Sequence, residues 1–342
     1  MTYATNVIFG CEGLTLSPEE RDLFRRLKPW GLILFSRNIQ SPDQLKALND
    51  DFREAVGRAD APILIDQEGG RVSRLPQTFW RIPPNPAVFA SIYRKNKQAA
   101  LKAAYLNYRL IAHDLKSSGV NVNCSPMVDM PRAGTSDIIN GRDLGDNPEM
   151  SIALARQVIQ GLKDGGVAPV VKHVPGHGRA TVDSHILLPY INASHSELAE
   201  SDFLPFIALN DQAMMMTAHI IYEAIDAKRP GTQSPKVINE IIRSQIGFDG
   251  LLMTDDINMQ ALDGSIAERA TKSLDAGVDV VLHCSGLIDE MKDVGQVVGE
   301  LSGKSLLRAH KATAEANLLA DDADIEAHRV ALEEILREAG QI

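Results

Sequence analysis

Eight short apolar runs recur along the chain, at 6–10, 31–35, 61–66, 120–126, 167–173, 213–219, 250–255 and 278–284. They are continuous rather than alternating, which is the pattern of strands covered on both faces, as in a parallel sheet. Helical patterns with legible starts lie between most of them. Ser17-Pro18-Glu19-Glu20 and Ser41-Pro42-Asp43-Gln44 each supply an N-cap serine, a proline at the first helical position and a reciprocal Glu or Gln. Leu23, Phe24 and Leu27 behind the first cap, and Leu45, Leu48 and Phe52 behind the second, form the stripe a helix lays on a sheet. Ser265-Ile266-Ala267-Glu268 repeats the cap. Leu106, Leu110, Ile111 and Leu115 share one face of a helix over 99–115, which Gly119 closes.

Strands alternating with helices eight times predict a single-domain (β/α)₈ barrel over 1–342. A doubly wound open sheet is the alternative, but no Gly-x-Gly-x-x-Gly turn follows any early strand. The stretch 305–340 reads as one or two helices, a C-terminal extension that either covers the barrel or mediates self-association. The longest departures from compact strand-to-helix spacing fall at 75–97, 127–150 and 174–193. In a barrel these loops all emerge at the C-terminal face and wall one side of a pocket.

Composition narrows the class. A 342-residue chain that is 44% hydrophobic buries a large core, and a net charge of −10 argues against nucleic acid or an anionic membrane surface as a partner. The first ten residues carry neither a positive n-region nor an apolar h-region, and no apolar run approaches the roughly 20 residues of a membrane span. Cys11, Cys124 and Cys284 are odd in number and sit in or beside apolar runs, which fits buried thiols in a reducing compartment. The expectation is a soluble, cytoplasmic protein.

Chemistry concentrates after the fifth run. Lys172-His173-Val174-Pro175-Gly176-His177-Gly178 leaves the strand as an irregular loop, and Asp183-Ser184-His185 follows four residues later. Residues i and i+2 in extended backbone share a side, so Asp183 can orient the His185 imidazole and favour its charged form, which suits a group that gives and retrieves a proton. Polar residues also stand at other strand ends: Asp66 with Arg74 after the third, Arg142 in the fourth loop, Lys172 and His173 at the fifth, His219 at the sixth, and Asp255 with Asp256 at the seventh. A barrel brings these to one mouth. Adjacent strand residues face opposite ways, so only one of Asp255 and Asp256 points at the axis. Asp66, the arginines and Lys172 together describe a site for a polyhydroxylated molecule. Two other readings stay open on these residues. One is a metal-dependent hydrolase using His173, His177, Asp183 and His185, although Pro175 and Gly176 keep the first two off a helix. The other is a non-catalytic sugar-binding barrel.

The run 172–178 with Asp183-Ser184-His185 resembles the signature K-H-F-P-G-H-G-x₄-D-S-H of bacterial β-N-acetylglucosaminidases of glycoside hydrolase family 3, with Val174 in place of Phe. Thr254-Asp255-Asp256-Ile257-Asn258-Met259 is similar to that family's S/T-D-x-L-x-M segment around its nucleophile. Ile65-Asp66-Gln67-Glu68-Gly69-Gly70-Arg71-Val72 through Arg74 also matches its pattern, and the likeness runs from about 31 to 284. The resemblance implies Asp255 as nucleophile, His185 as general acid/base and Asp183 as its partner. It implies that Asp66, Arg74, Lys172 and His173 bind the N-acetylglucosamine ring, with Arg142 in the changed setting Ile139-Asn140-Gly141-Arg142-Asp143-Leu144 against the family's I-G-x-R-S-F.

It further implies a cofactor-free cytoplasmic enzyme that removes N-acetylglucosamine from 1,6-anhydro-muropeptides in cell-wall recycling. No metal is expected at the site, and a sugar substrate is the expected partner of a chain that acts as monomer or homodimer. A related β-glucosidase or a phosphorylase is the nearest alternative. A histidine acid/base on a loop predicts that the loop closes for catalysis, with Gly176 and Gly178 as hinges.

Overall fold

The structure is a computed structural model that describes residues 3–137 and 139–342. Met1 and Thr2, which head the segment read above for a leader, and Ile138, in the 127–150 loop, lie outside the described residues. The strands in chain order are β1 (Thr5–Phe9), β2 (Pro29–Leu34), β3 (Ile63–Ile65), β4 (Val122–Asn123), β5 (Ala168–Pro169), β6 (Val171–Val174), β7 (Tyr190–Ile191), β8 (Met214–Thr217), β9 (Ile221–Tyr222), β10 (Leu251–Asp256) and β11 (Val280–His283). Nine of them form one parallel sheet in the order β5-β4-β3-β2-β1-β11-β10-β8-β6, while β7 and β9 pair separately.

The two ends of that order are one stretch of chain. Only Val170 separates β5 from β6, and its N–H reaches the carbonyls of Asn123 and Ser125 at 3.0 and 3.1 Å. β5 therefore pairs with β4 on one side and β6 with β8 on the other, which closes the sheet. The expected (β/α)₈ barrel forms, with its fifth strand interrupted at Val170, just after Pro169, a residue that has no N–H to give a ladder.

Side chains alternate across this wall. Ile8, Ile33, Leu64, Val170, Met214, Met216, Leu251, Met253 and Leu282 meet in an inner cluster. Val7, Leu32, Leu34, Ile63, Val171, Met215, Leu252 and Val281 point outward into the layer shared with the helices. Each strand is buried on both faces, which explains its unbroken apolar run, and each fully buried aliphatic side chain contributes about 1.5–3 kcal/mol.

The helices start where the caps predict. Ser17 accepts from the N–H of Glu20, whose carboxylate takes the N–H of Ser17, and Ser265 with Glu268 do the same. Ser41 also caps, but the Gln44 side chain accepts from Gln40 instead of closing the box. The C-terminal extension is two helices, Gly303–Ala316 and Ile325–Glu338. Ala309, Ala312 and Ala316 of the first join the inner cluster beside Ala4 and Trp30, so this helix plugs the end of the barrel where the strands begin. Small side chains let the helix approach that closely. The second helix lies against helix Lys97–Ser117. No helix among the described residues is long and apolar enough to cross a membrane.

Candidate active site

At the opposite end of the barrel, a cavity of about 320 Å³ opens over a floor of Ile33, Met216 and Leu282. Its wall contains Asp66, Arg74, Arg142, Lys172, His173, His185 and Asp255. All but one of the eight residues to which the family resemblance gives a role thus border a single space. The eighth, Asp183, is bonded to His185 just behind the wall.

The strand register decides how Asp255 arrives there. Leu251 and Met253 belong to the inner cluster and Leu252 to the outer one, so Asp255 continues the inward-facing parity. Its Oδ1 accepts the N–H of Asp256 at 2.8 Å. Burial alone would raise its pKa, but His173 and His219 face it, and with that N–H they hold it at about 2. Asp256 has the opposite parity. Its Oδ1 accepts from the N–H groups of Asn258 and Cys284 at 3.0 and 3.2 Å and so ties the β10 end to the β11 end. Burial pushes Asp256 up to about 6; its two N–H donors pull it down again, and the neighbouring Asp255 adds to the rise.

β6 supplies two neighbours to the cavity. Its pairing with β8 slips between Lys172 and Val174, and both Lys172 and His173 reach the wall. Lys172 Nζ donates to Asp66 Oδ1 at 2.7 Å and lies 2.6 Å from Glu68 Oε1. Glu68, only 1% exposed, also receives Arg142 through Nε and Nη2, both at 2.8 Å. Arg74 Nη2 stands 3.5 Å from Asp66 Oδ2. Burial would raise both carboxylates. Lys172 with Arg74 overrides it at Asp66, and Arg142 with Lys172 overrides it at Glu68, so both are held below the usual range. The result is a chain of alternating charge that keeps one ammonium and two guanidinium groups on the cavity wall.

His173 is fixed from behind. Its Nδ1 lies 2.6 Å from Asp129 Oδ2, which also accepts its backbone N–H, while its Nε2 stands 3.8 Å from Asp255 Oδ2. Asp129 Oδ1 takes the backbone N–H of His177 at 2.6 Å. On the far side His219 is buried, with Nδ1 at 2.7 Å from Thr232 Oγ1 and Nε2 donating to the Asp256 carbonyl at 3.0 Å. Both ring nitrogens are thus occupied. His219 supports the loop after β10 rather than reaching the cavity.

The Asp183-Ser184-His185 segment crosses the mouth as a flap. Asp183 Oδ1 accepts the backbone N–H of His185 at 2.9 Å and lies 2.8 Å from its Nδ1, which leaves Nε2 for the cavity. The expectation that Gly176 and Gly178 are hinges is corrected. Both are buried, Tyr222 Oη donates to the Gly176 carbonyl at 2.9 Å, and a Cβ on Gly178 would lie 2.0 Å from the Met130 carbonyl oxygen. Close backbone packing is why glycine stands there. They anchor the base of the flap, and the exposed chain begins beyond them.

Comparison with known proteins agrees with this geometry. The model of a family described as glycosyl hydrolase family 3 N terminal domain matches residues 13–313. The chain belongs to glycosyl hydrolase family 3. Among relatives of this family 3 hydrolase, a β-hexosaminidase of Alkalilimnicola ehrlichii is 40% identical over 283 residues, covering 82% of this chain and 80% of that protein. A β-hexosaminidase of Methylococcus capsulatus is 39% identical over 283 residues, 81% of this chain and 82% of that one. Among solved structures, NagZ from Neisseria gonorrhoeae in complex with N-trifluoroacetyl-D-glucosamine superposes with a TM-score of 0.86 at 30% identity, covering 99% of this chain and 98% of that one. The protein is a glycoside hydrolase of the β-hexosaminidase type.

Two members of the family 3 site escaped the sequence reading. Glu68 lies inside the 65–72 motif, where an acid between Gln67 and two glycines was a usable cue. Asp129, in an ordinary stretch of the fourth loop, carried none. The four residues weighed as a metal set point elsewhere: His173 to Asp129, His177 to Ser184 and His185 to Asp183. Among the described residues no group of three or more His, Cys, Asp or Glu is arranged to hold a metal ion.

Proposed function

We propose that this hydrolase is a retaining exo-β-N-acetylglucosaminidase acting on terminal, non-reducing β-linked N-acetylglucosamine. The observation that carries the reading is that Asp255 and the Asp183-bonded His185 border one cavity, the first from a strand end and the second from a flap across the mouth. In the first step a carboxylate oxygen of Asp255 attacks the anomeric carbon while His185 Nε2 gives its proton to the departing glycosidic oxygen. The bond to the aglycone breaks and a glycosyl ester of Asp255 forms. His185, now neutral, takes a proton from water, and the resulting hydroxide displaces Asp255. Its pKa near 2 keeps Asp255 ionised and nucleophilic at neutral pH. Most retaining glycosidases pair two carboxylates about 5–5.5 Å apart. An imidazole avoids placing a second negative charge beside the one that Asp255 regains as it leaves.

Asp66, Arg74, Arg142, Lys172 and His173 are assigned to the sugar ring. The ion network places charged donors and carboxylate acceptors around the cavity, as a polyhydroxylated ligand requires. The natural substrate in this reading is an N-acetylglucosaminyl 1,6-anhydro-muropeptide released in cytoplasmic peptidoglycan recycling, cleaved by residues 1–342 acting as one catalytic unit, as monomer or homodimer. The test compares 4-nitrophenyl N-acetyl-β-glucosaminide with the matching β-glucoside, followed by N-acetylglucosaminyl-anhydromuramyl peptide. Turnover of the N-acetylated substrates is expected. Preference for the glucoside would overturn the assignment.

A further inference from the structure

One buried histidine has no part in the steps above. His177 is 3% exposed, and its Nε2 lies 3.1 Å from the hydroxyl of Ser184. Ser184 sits between the two residues assigned to proton transfer, and it is the one buried residue in the stretch 181–188. Around it the flap is open to solvent: the His185 side chain is 58% exposed, Ile186 61% and Leu187 60%. Among the described residues Asp183 bonds within the flap, its carboxylate to His185 and its carbonyl to the N–H groups of Ile186 and Leu187. The Ser184–His177 bond is the side-chain hydrogen bond that ties residues 181–188 to the rest of the barrel among the described residues. The other polar contact among the described residues is a long one, Gln260 N–H to the His185 carbonyl at 3.4 Å.

His177 is itself held rigidly. Its backbone N–H donates to Asp129 Oδ1, whose second oxygen meets His173 Nδ1, and His173 Nε2 faces Asp255. The flap is thereby connected to the Asp255 side of the cavity through Ser184, His177, Asp129 and His173. Burial, reinforced by the nearby His173, pushes His177 down to about 4, so near pH 7 the ring is neutral and makes one neutral bond to the hydroxyl. Such a bond is worth about 0.5–1.5 kcal/mol, enough to bias an exposed flap without locking it.

We propose that His177 is a positioning residue, which through Ser184 holds the His185-bearing flap over the cavity. The inference rests on the acid/base reading of His185. A general acid contributes about 10²–10⁴-fold, and only while it is aimed at the leaving oxygen. Losing the hold therefore selectively harms substrates whose leaving group needs a proton.

The experiment measures kcat/KM for His177→Ala, Ser184→Ala, the double variant and His177→Gln. One substrate is 2,4-dinitrophenyl N-acetyl-β-glucosaminide, whose leaving group departs unprotonated, and the other is a saccharide or alkyl N-acetyl-β-glucosaminide. His185→Ala serves as reference. Each single alanine variant is expected to lose about two- to tenfold on the unactivated substrate, the range of one such hydrogen bond, and to stay close to the parent on the activated one. The double variant should be no worse than the poorer single, because both remove one bond. His177→Gln, which can still bond the hydroxyl, should recover part of the loss. Ser184→Ala removes one oxygen and keeps the test valid if His177→Ala folds poorly. Equal losses on both substrates, or additive losses in the double variant, would overturn the inference while a selective loss in His185→Ala leaves the functional reading standing. A non-selective loss in His185→Ala would sink both.

Discussion

The guanidinium of Arg142 grips the carboxylate of Glu68 through two bonds of 2.8 Å, across 74 residues of sequence. The same carboxylate meets Lys172, so one buried acid bridges two cations on the wall of the cavity, with Asp66 supplying the second negative charge. Without it, Lys172 and Arg142 would repel each other, and each would have to remain charged in a site largely closed to water.

Glu68→Gln keeps the shape and removes the charge. Breaking a buried ion pair by deleting one partner costs about 3–5 kcal/mol, because the other charge is left uncompensated. The variant should melt well below the parent and show a raised KM for an aryl N-acetyl-β-glucosaminide. A thermal scan with matched kinetics checks both, and an unchanged KM would mean that Asp66 alone orders the cations.

Asp255→Ala should lower turnover by at least about 10³-fold, in the range seen when a nucleophile is removed, while far-UV circular dichroism stays that of the parent. Azide added to the variant should release glycosyl azide of inverted configuration if the missing carboxylate was the nucleophile. Inverted product is identified by proton NMR of the anomeric position, and retention would contradict the role.

Asp256 sets a pH dependence of stability. Its folded pKa of about 6 lies above the ordinary 3.8, so between those values the folded state binds more protons than the unfolded one. Stability from this group is therefore full at low pH and lost as pH rises through about 6, by a few kcal/mol at roughly 1.4 per pKa unit. Asp256→Asn retains the Oδ1 acceptor for both N–H groups. The melting temperature of the variant relative to the parent should rise as pH increases from 4 to 7. A difference that stays flat over that interval would contradict the raised pKa.

Gly178→Ala pushes a methyl group to within 2.0 Å of the Met130 carbonyl oxygen, a backbone atom that cannot turn aside. The loop base must shift, so both melting temperature and kcat should fall. Gly13→Ala, which meets nothing within 4 Å, is the matched control and should leave both unchanged. If the two variants behave alike, the flap base tolerates displacement and Gly178 is not an anchor.

How much of this was legible varies by residue. The inward facing of Asp255 follows from a period of two along 251–255, so parity alone restricted the choice to Asp255 or Asp256. The caps at Ser17 and Ser265 form as their four-residue patterns require, because both partners lie within one helical turn. At Ser41 the N–H of the preceding Gln40 takes the Gln44 side-chain oxygen, while Gln44 Nε2 reaches the carbonyls of Leu14 and Asn38, the former a partner 30 residues away that the cap pattern does not anticipate. Glycines at 176 and 178 read as freedom in sequence, whereas contact with Met130 and Tyr222 makes them fixed points.

The chain by itself determined the barrel, the face where polar strand ends gather, and the pairing of Asp183 with His185. All of these rest on periodicity and on neighbours close in sequence. Only the closed tertiary structure decided that Glu68 joins Lys172 to Arg142, that Asp129 backs His173, and that His177 turns to Ser184. Those partners come from different strands and loops, and a buried charge takes whichever counter-charge the closure of the barrel brings within reach.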